Sequence, residues 1–113
     1  MEIVSTKNAE HYVWGDVCDG WHLVQSASLS VIQERVPPGG AEVRHSHMHA
    51  EQFFYVLSGV ATIEASGQIN CVQSGQGLHI PAGVPHQLSN AESQDLVFLV
   101  SSTPPSHGDR LDA

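Results

Sequence analysis

The sequence predicts an all-β fold, a sandwich or barrel of short antiparallel strands, on three observations. Apolar and polar residues alternate along most of the chain, as they do around Ala61, Ile63 and Ala65, and a period of two is typical of half-buried strands. Turn signals rich in Gly and Pro recur at short intervals. No segment combines a helix cap with ten residues of helical apolar spacing. In 113 residues this pattern indicates one compact domain.

Ten segments have the length and alternation expected of strands. They cover residues 11–14, 21–25, 28–36, 42–47, 52–58, 60–65, 69–73, 77–80, 86–90 and 95–101. Pro- and Gly-containing turns such as residues 37–40 and 81–83 separate them. The tail, residues 101–113, contains Ser-Ser-Thr-Pro-Pro-Ser. It is predicted to be linker-like, because proline interrupts strands and helices.

The strand predicted at 52–58 is apolar on both faces. Phe54 and Val56 lie on one face, and Phe53, Tyr55 and Leu57 lie on the other. A sheet that faces water on one side is apolar on the other side only. Since 113 residues leave little chain to cover a second face, we expect a homodimer.

Composition limits the partners and the location. Twelve acidic residues against four basic ones give a net charge of −8. Phosphate backbones and anionic membranes repel a chain with this much negative charge. Neither nucleic acid nor membrane partners are therefore expected. The longest apolar runs, near residues 53–57 and 96–100, are far shorter than the roughly 20 residues that span a bilayer. The absence of a secretory signal and the presence of only two cysteines predict a cytoplasmic protein with reduced thiols.

Histidines are unusually frequent, and five of the eight lie between residues 45 and 86. His45 and His47 are one residue apart in a predicted strand. Alternation therefore places both imidazoles on the same face, roughly 6.5–7 Å apart along the strand. Neutral imidazole is a common ligand of Zn, Fe, Ni and Mn ions. The pair predicts a metal site, with two aligned surface histidines as the alternative.

The spacing around these histidines has a wider pattern. Gly-x5-His-x-His-x4-Gln-x6-Gly spans residues 39–59, and Gly-x5-Pro-x-Gly-x2-His-x3-Asn spans residues 75–90. These segments resemble the two motifs of the cupin superfamily. The second matches at every fixed position, and the first matches everywhere except at its carboxylate. The resemblance implies a small single-domain cupin over residues 1–113, folded as a double-stranded β-helix, which is a jelly-roll barrel.

The resemblance also implies one divalent transition metal in the barrel, Fe, Mn, Ni or Zn. By position its ligands are His45, His47, Gln52 and His86. Gln52 is preferred because the six residues between it and Gly59 keep the family's register. The alternative ligand is Glu51, which a slip of one residue would turn to the opposite face.

Two further histidines have open roles. His49 completes a His-x-His-x-His run and is either near the metal or in a solvated loop. His79 precedes Ile80-Pro81 and is a candidate catalytic acid–base group, because imidazole titrates near neutral pH. The alternative is that His79 faces solvent.

The resemblance implies a metalloenzyme that acts on a small carbonyl or sugar-acid-like substrate, as an isomerase, a ring-opening enzyme or a dioxygenase. The run from His45 to Gln52 is similar to that of the single-domain cupin that opens the ring of unsaturated uronates. Three imidazoles and an amide leave a bound ion its full charge, which favours Lewis-acid chemistry. The alternatives are a non-catalytic small-molecule-binding or sensor cupin and a structural cupin that has lost its metal.

Overall fold

A computed structural model describes residues 1–113, and its regular structure consists of eleven β-strands. The strands are β1 Glu10–Trp14, β2 Cys18–Gln25, β3 Ser30–Val36, β4 His45–His47, β5 Glu51–Ser58, β6 Val60–Ala65, β7 Gln68–Gln73, β8 Gly77–Ile80, β9 His86–Ser89, β10 Leu96–Thr103 and β11 Arg110–Asp112. The structure has no helix long and apolar enough to cross a bilayer.

The strands form two antiparallel sheets. The six-stranded sheet has the order β1-β2-β3-β10-β5-β8, and the five-stranded sheet has the order β11-β4-β9-β6-β7. From β3 onwards the chain passes repeatedly from one sheet to the other, interrupted only by the β6–β7 hairpin. This winding confirms the predicted jelly-roll fold.

The core lies between the inner faces of the two sheets. Strand β5 shows the principle, because Phe54 and Val56 point inwards and are buried whereas Phe53, Tyr55 and Leu57 point outwards and are exposed. Burying one such apolar side chain contributes about 1.5–3 kcal/mol. The fully buried apolar side chains are Cys18, Val36, Val56, Ala61, Ile63, Leu88, Leu96 and Phe98.

Each of the ten predicted strand segments overlaps an observed strand, but the prediction for the tail was wrong. Residues 110–112 form β11, which pairs antiparallel with β4 from Arg110 opposite His47 to Asp112 opposite His45. Strand β4 itself is shorter than predicted, beginning at His45 and not at residue 42. The tail becomes a strand because a distant segment offers it an open edge, which alternation within the tail does not reveal.

Two fixed motif residues shape the turns that hold the barrel. Gly59 has φ +83°, and a Cβ there would lie 2.6 Å from the carbonyl oxygen of Asp95, so a side chain does not fit. Asn90 is buried, and its Nδ2 donates to the carbonyl oxygens of Val36 at 2.9 Å and Gln94 at 2.7 Å. Gly59 and Asn90 thus have structural roles at the ends of β5 and β9.

Candidate metal centre

Three histidines converge in the interior. His45 and His47 come from β4, and His86 comes from β9, where it is the direct ladder partner of His45. The ring centroids are 4.8 Å apart for His45 and His47, 4.6 Å for His45 and His86, and 5.8 Å for His47 and His86. All three side chains are buried, and one ring nitrogen from each lies within 4.8 Å of the others. The cluster can therefore hold one metal ion.

Backbone carbonyls orient two of the rings. The Nδ1–H of His45 donates to the Val43 carbonyl at 2.7 Å, and the Nδ1–H of His86 donates to the Val84 carbonyl at 2.9 Å. Each bond fixes the tautomer and leaves Nε2 with a free lone pair. Nε2 of His86 and both ring nitrogens of His47 are buried without any hydrogen-bond partner. Such unpartnered buried atoms cost folding free energy. The residues present therefore fit a metal ion that would bond to Nε2 of His86 and to one ring nitrogen of His47.

The environment keeps these imidazoles neutral. Burial lowers the pKa of His45 to about 4, with smaller contributions from the charges of His86, Arg110 and His47. Burial also lowers the pKa of His47 and of His86 below the ordinary value. A neutral imidazole has the lone pair that a metal needs, so the cluster is ready for metal at neutral pH.

The register of β5 turns Gln52, and not Glu51, towards the interior. Gln52 is 7% exposed, and its Nε2 donates to Oγ of Ser102 on β10 at 3.1 Å. Its Oε1 is buried without a partner. Glu51 is exposed on the outer face, where its carboxylate accepts a hydrogen bond from Nε2 of His79 at 2.9 Å. The amide oxygen of Gln52 is therefore free to bind a metal ion from the inner face of the strand.

His49 and His79, the two histidines with open roles, do not join the cluster. His79 lies on β8 with its side chain exposed and paired with Glu51, so the structure does not place this candidate acid–base group in the interior. His49 is exposed in the loop between β4 and β5, and its backbone N–H donates to Asp109. Alternation places His79 on the outer face because Ile80, its neighbour, is buried.

A cavity of about 290 Å³ adjoins the cluster and is lined by His45, His47 and Gln52. This volume is close to the lower end for small-molecule sites. The tail residues 106–108 and Arg110 form one side of the cavity. The other lining residues are Tyr12, Trp14, Ile32, Glu34, Glu42, Phe54, Val100 and Ser102.

Sequence reasoning missed two carboxyl groups in this cavity. Burial, with an additional effect of the Glu42 charge, raises the pKa of Glu34 to about 8. Burial raises the pKa of Glu42 to about 7, although the Leu88 N–H and Arg110 act in the opposite direction. The available signal was the pattern of β3, in which Glu34 shares its face with the apolar Ile32 and Val36. A carboxyl on the apolar face of a strand marks an unusual environment.

Asp109 fastens the tail beside the cluster. Its Oδ2 accepts hydrogen bonds from the backbone N–H groups of His49 at 2.9 Å and Ala50 at 2.8 Å. These bonds hold the pKa of Asp109 below its ordinary value. The Met48 N–H also donates to the Asp109 carbonyl at 3.1 Å. The loop that joins the histidine strand to Gln52 is thereby tied to β11.

Two curated proteins are similar to part of the chain. The putative mannose-1-phosphate guanylyltransferase of Vibrio cholerae is 31% identical over 55 residues, which are 49% of this chain and 12% of that protein. Protein SchB of Streptomyces halstedii is 32% identical over 72 residues, which are 62% of this chain and 52% of that protein. The chain thus spans about half the length of SchB and a small part of the other relative.

Solved structures share the whole fold at low identity. The polyketide cyclase RemF from Streptomyces resistomycificus has a TM-score of 0.86 and 21% identity, over 100% of this chain and 85% of that one. KdgF from Halomonas has a TM-score of 0.85 and 15% identity, over 93% and 94% of the two chains. A sugar phosphate isomerase of the cupin superfamily from Silicibacter pomeroyi has a TM-score of 0.81 and 22% identity, over 92% of this chain and 76% of that one.

The sequence model of the cupin domain matches residues 32–102. That range contains both histidine motifs and all the strands from β4 to β9. Fold, motifs and family model agree, and the chain belongs to the cupin family.

Proposed function

We propose that the protein is a small metalloenzyme that binds one divalent transition metal through His45, His47, His86 and Gln52. Its reaction would be redox-neutral: an isomerisation, a ring opening or a cyclisation of a small carbonyl or sugar-acid-like compound. The observation that carries it is the convergence of three buried neutral imidazoles beside a cavity that His45, His47 and Gln52 line, with the amide oxygen of Gln52 buried and unpartnered.

The charge of the ligand set supports Lewis-acid chemistry. Four neutral ligands leave a divalent ion its full +2 charge, and such an ion polarises a carbonyl oxygen when bound. Residues of the chain orient the metal ligands and line the cavity. The Val43 and Val84 carbonyls orient two imidazoles, and Ser102 orients the Gln52 amide. Apolar side chains, among them Phe54 and Val100, line part of the cavity.

The similar structures support the same class of reaction. One is described as a polyketide cyclase and another as a sugar phosphate isomerase. Both descriptions favour redox-neutral chemistry over dioxygenation. Dioxygenation remains the competing reaction if the natural metal is iron, because three-histidine iron sites also activate oxygen.

Metal content tests the proposal first. Untagged protein expressed with mixed trace metals and purified without chelator is expected to carry about one equivalent of one metal by elemental analysis. Iron would direct assays to oxygen consumption, and zinc, nickel or manganese would direct them to isomerisation and ring opening. Protein that neither carries metal nor takes it up on titration would contradict the proposal.

A pair of variants tests the fourth ligand. Gln52→Ala removes the free amide oxygen and is expected to weaken zinc binding at least about tenfold. Glu51→Ala removes a carboxylate from the outer face and is expected to leave zinc binding unchanged. Calorimetric titration of the metal-free proteins measures both. The opposite result would assign the ligand to Glu51.

The competing function is a non-catalytic small-molecule-binding or sensor cupin. It shares the cavity but needs no turnover. Thermal-shift screening of metal-loaded protein separates the two, because a compound that stabilises the protein and is recovered unchanged would favour the sensor.

The oligomeric state belongs to the proposal as well. We infer a homodimer from the outer face of β5, where Phe53, Tyr55 and Leu57 are 44%, 38% and 41% exposed. The cytoplasmic location and the absence of nucleic acid and membrane partners stay predictions from the sequence.

A further inference from the structure

We propose that Glu34 is the general acid–base of the cavity, taking a proton from the carbon beside a substrate carbonyl and returning it at another position. This inference rests on the proposed metalloenzyme function and names the group that moves the proton. It replaces His79, whose side chain lies on the outer face.

The position of Glu34 follows from the ladders on both sides of β3. Glu34 pairs with Gly20 on β2 and with Phe98 on β10. The Tyr12 ring occupies the space above Gly20, where a Cβ would lie 2.3 Å from the ring. Tyr12 and Glu34 are therefore neighbours on the inner face, and both line the cavity that His45 also lines.

Glu34 is a carboxyl group without a committed partner. No side chain or backbone group donates a hydrogen bond to it, although the other charged cavity groups are engaged. Glu42 accepts the Leu88 N–H at 3.0 Å. Arg110 donates to the Val43 carbonyl at 3.3 Å and pairs with Asp112 at 3.4 Å. A free acid–base group in a small cavity beside a ligand cluster is placed to act on a bound compound.

The protonation behaviour of Glu34 suits the role. Its pKa is raised to about 8 by burial and by the Glu42 charge, so the carboxyl can accept and donate a proton near neutral pH. The titratable and charged groups of the elements around it are Tyr12, Cys18, His22, Glu42, His45, His47, His107 and Arg110.

The step balances without a further reactant. The substrate C–H bond breaks and an O–H bond forms on the Glu34 carboxylate, while the electron pair moves onto the carbonyl oxygen to give an enolate. In an α-hydroxy carbonyl substrate the neighbouring hydroxyl proton passes to the enolate oxygen, a new carbonyl forms at the hydroxyl carbon, and return of the Glu34 proton to the former carbonyl carbon gives the isomer. Attack of the enolate carbon on a second carbonyl of the same substrate forms a C–C bond and closes a ring, and the alkoxide that results takes the proton from Glu34. Neither outcome requires an oxidant or a reductant.

Hydrogen exchange on two small probes tests this step. Zinc-loaded protein is incubated in D₂O with pyruvate, an oxo acid, or dihydroxyacetone, a neutral hydroxyketone, and loss of the C–H signal is followed by proton NMR. Glu34→Gln is expected to slow exchange about 100-fold or more and to remove the carboxyl inflection from the pH–rate profile. Glu34→Asp is expected to restore part of the rate. Glu92→Gln makes the same change in an exposed loop residue and is expected to behave as wild type.

The outcomes separate this inference from the proposed function. Exchange in Glu34→Gln at the wild-type rate would overturn the role of Glu34 and leave the metalloenzyme proposal in place. Absence of exchange with the zinc-loaded wild type would count against the proposed function. The acid–base role of Glu34 would then fall as well, because it depends on that function. Zinc content is measured in each variant, because loss of zinc together with exchange in Glu34→Gln would assign Glu34 to metal binding and overturn the acid–base role.

Discussion

At the scale of single residues, Glu34 shares the inner face of β3 with the buried side chains of Ile32 and Val36. It has no hydrogen-bond donor there, so its ionised form is poorly solvated. The unfolded chain solvates the same carboxylate fully. A group that is retained despite such a cost is often one that a binding or catalytic site requires.

The unfavourable burial of the ionised Glu34 carboxylate predicts how the free energy of unfolding depends on pH. The folded-state pKa, about 8, lies above the ordinary value of 4.5, so the folded protein holds the proton more tightly than the unfolded chain. The contribution of Glu34 to stability is therefore complete below pH 4.5 and is lost as pH rises to about 8. Glu34→Gln lacks this loss and is expected to be about 1–2 kcal/mol more stable than wild type at pH 8.

Urea unfolding of the chelator-treated proteins at pH 5 and pH 8 measures this difference. The advantage of Glu34→Gln is expected to be small at pH 5 and to grow towards pH 8. Glu92→Gln serves as the control and is expected to track wild type at both values. An equal or smaller advantage at pH 8 than at pH 5 would show that the carboxyl is well solvated.

At the scale of elements, β11 and the residue before it determine how well the histidine strand is held. Strand β4 has only three residues and a single ladder pair with β9, whereas it has three ladder pairs with β11. Asp109 adds two hydrogen bonds to the loop after β4. The tail strand β11 therefore contributes more ladder pairs to β4 than β9 does.

Loss of the Asp109 carboxylate is expected to loosen this part of the fold. Asp109→Ala leaves two backbone N–H groups without their acceptor, so the amides of β4 and β11 should exchange hydrogen faster and zinc binding should weaken. Hydrogen-exchange mass spectrometry and zinc titration measure the two effects. Asp112→Ala, which removes an exposed carboxylate of β11, is the matched control. Unchanged protection of β4 in Asp109→Ala would show that the tail does not support the site.

At the scale of the whole molecule, the outer face of the six-stranded sheet carries a group of neighbouring apolar side chains. Phe53, Tyr55 and Leu57 stand side by side on β5, and Val97 and Leu99 on the neighbouring β10 are only half-buried. Contiguous apolar surface of this kind usually marks an interface. With a net charge of −8 on each copy, association of two copies is opposed by repulsion that salt screens.

We therefore expect sedimentation to show a dimer at micromolar concentration that tightens as salt is added. Leu57→Glu places a charge in the apolar face and is expected to give a monomer with a native β-sheet spectrum. Ile69→Glu changes a side chain that is 62% exposed in the other sheet and is expected to remain dimeric. A wild-type monomer under the same conditions would remove the dimer from the proposal.

Local pattern in the sequence was sufficient for much of the fold and the cluster. Strand positions follow from alternation, because a half-buried strand must place successive side chains on opposite faces. The same parity puts His45 and His47 together and selects Gln52 over Glu51 for the inner face, as burial of Gln52 and exposure of Glu51 confirm. Motif spacing added His86, since Gly and Pro turns fix where β9 enters the barrel.

Other features depend on contacts between residues far apart in the chain. The pairing of β11 with β4 needs an open strand edge about 60 residues away, and the pKa of Glu34 needs Glu42 and the apolar wall that the fold assembles around it. The outward position of His79 is settled by the strand's register against β5. Sequence thus determined the strands and the histidine positions by local alternation and spacing, whereas the tail strand and the environments of Glu34 and His79 were decided only when segments distant in the chain paired and packed together.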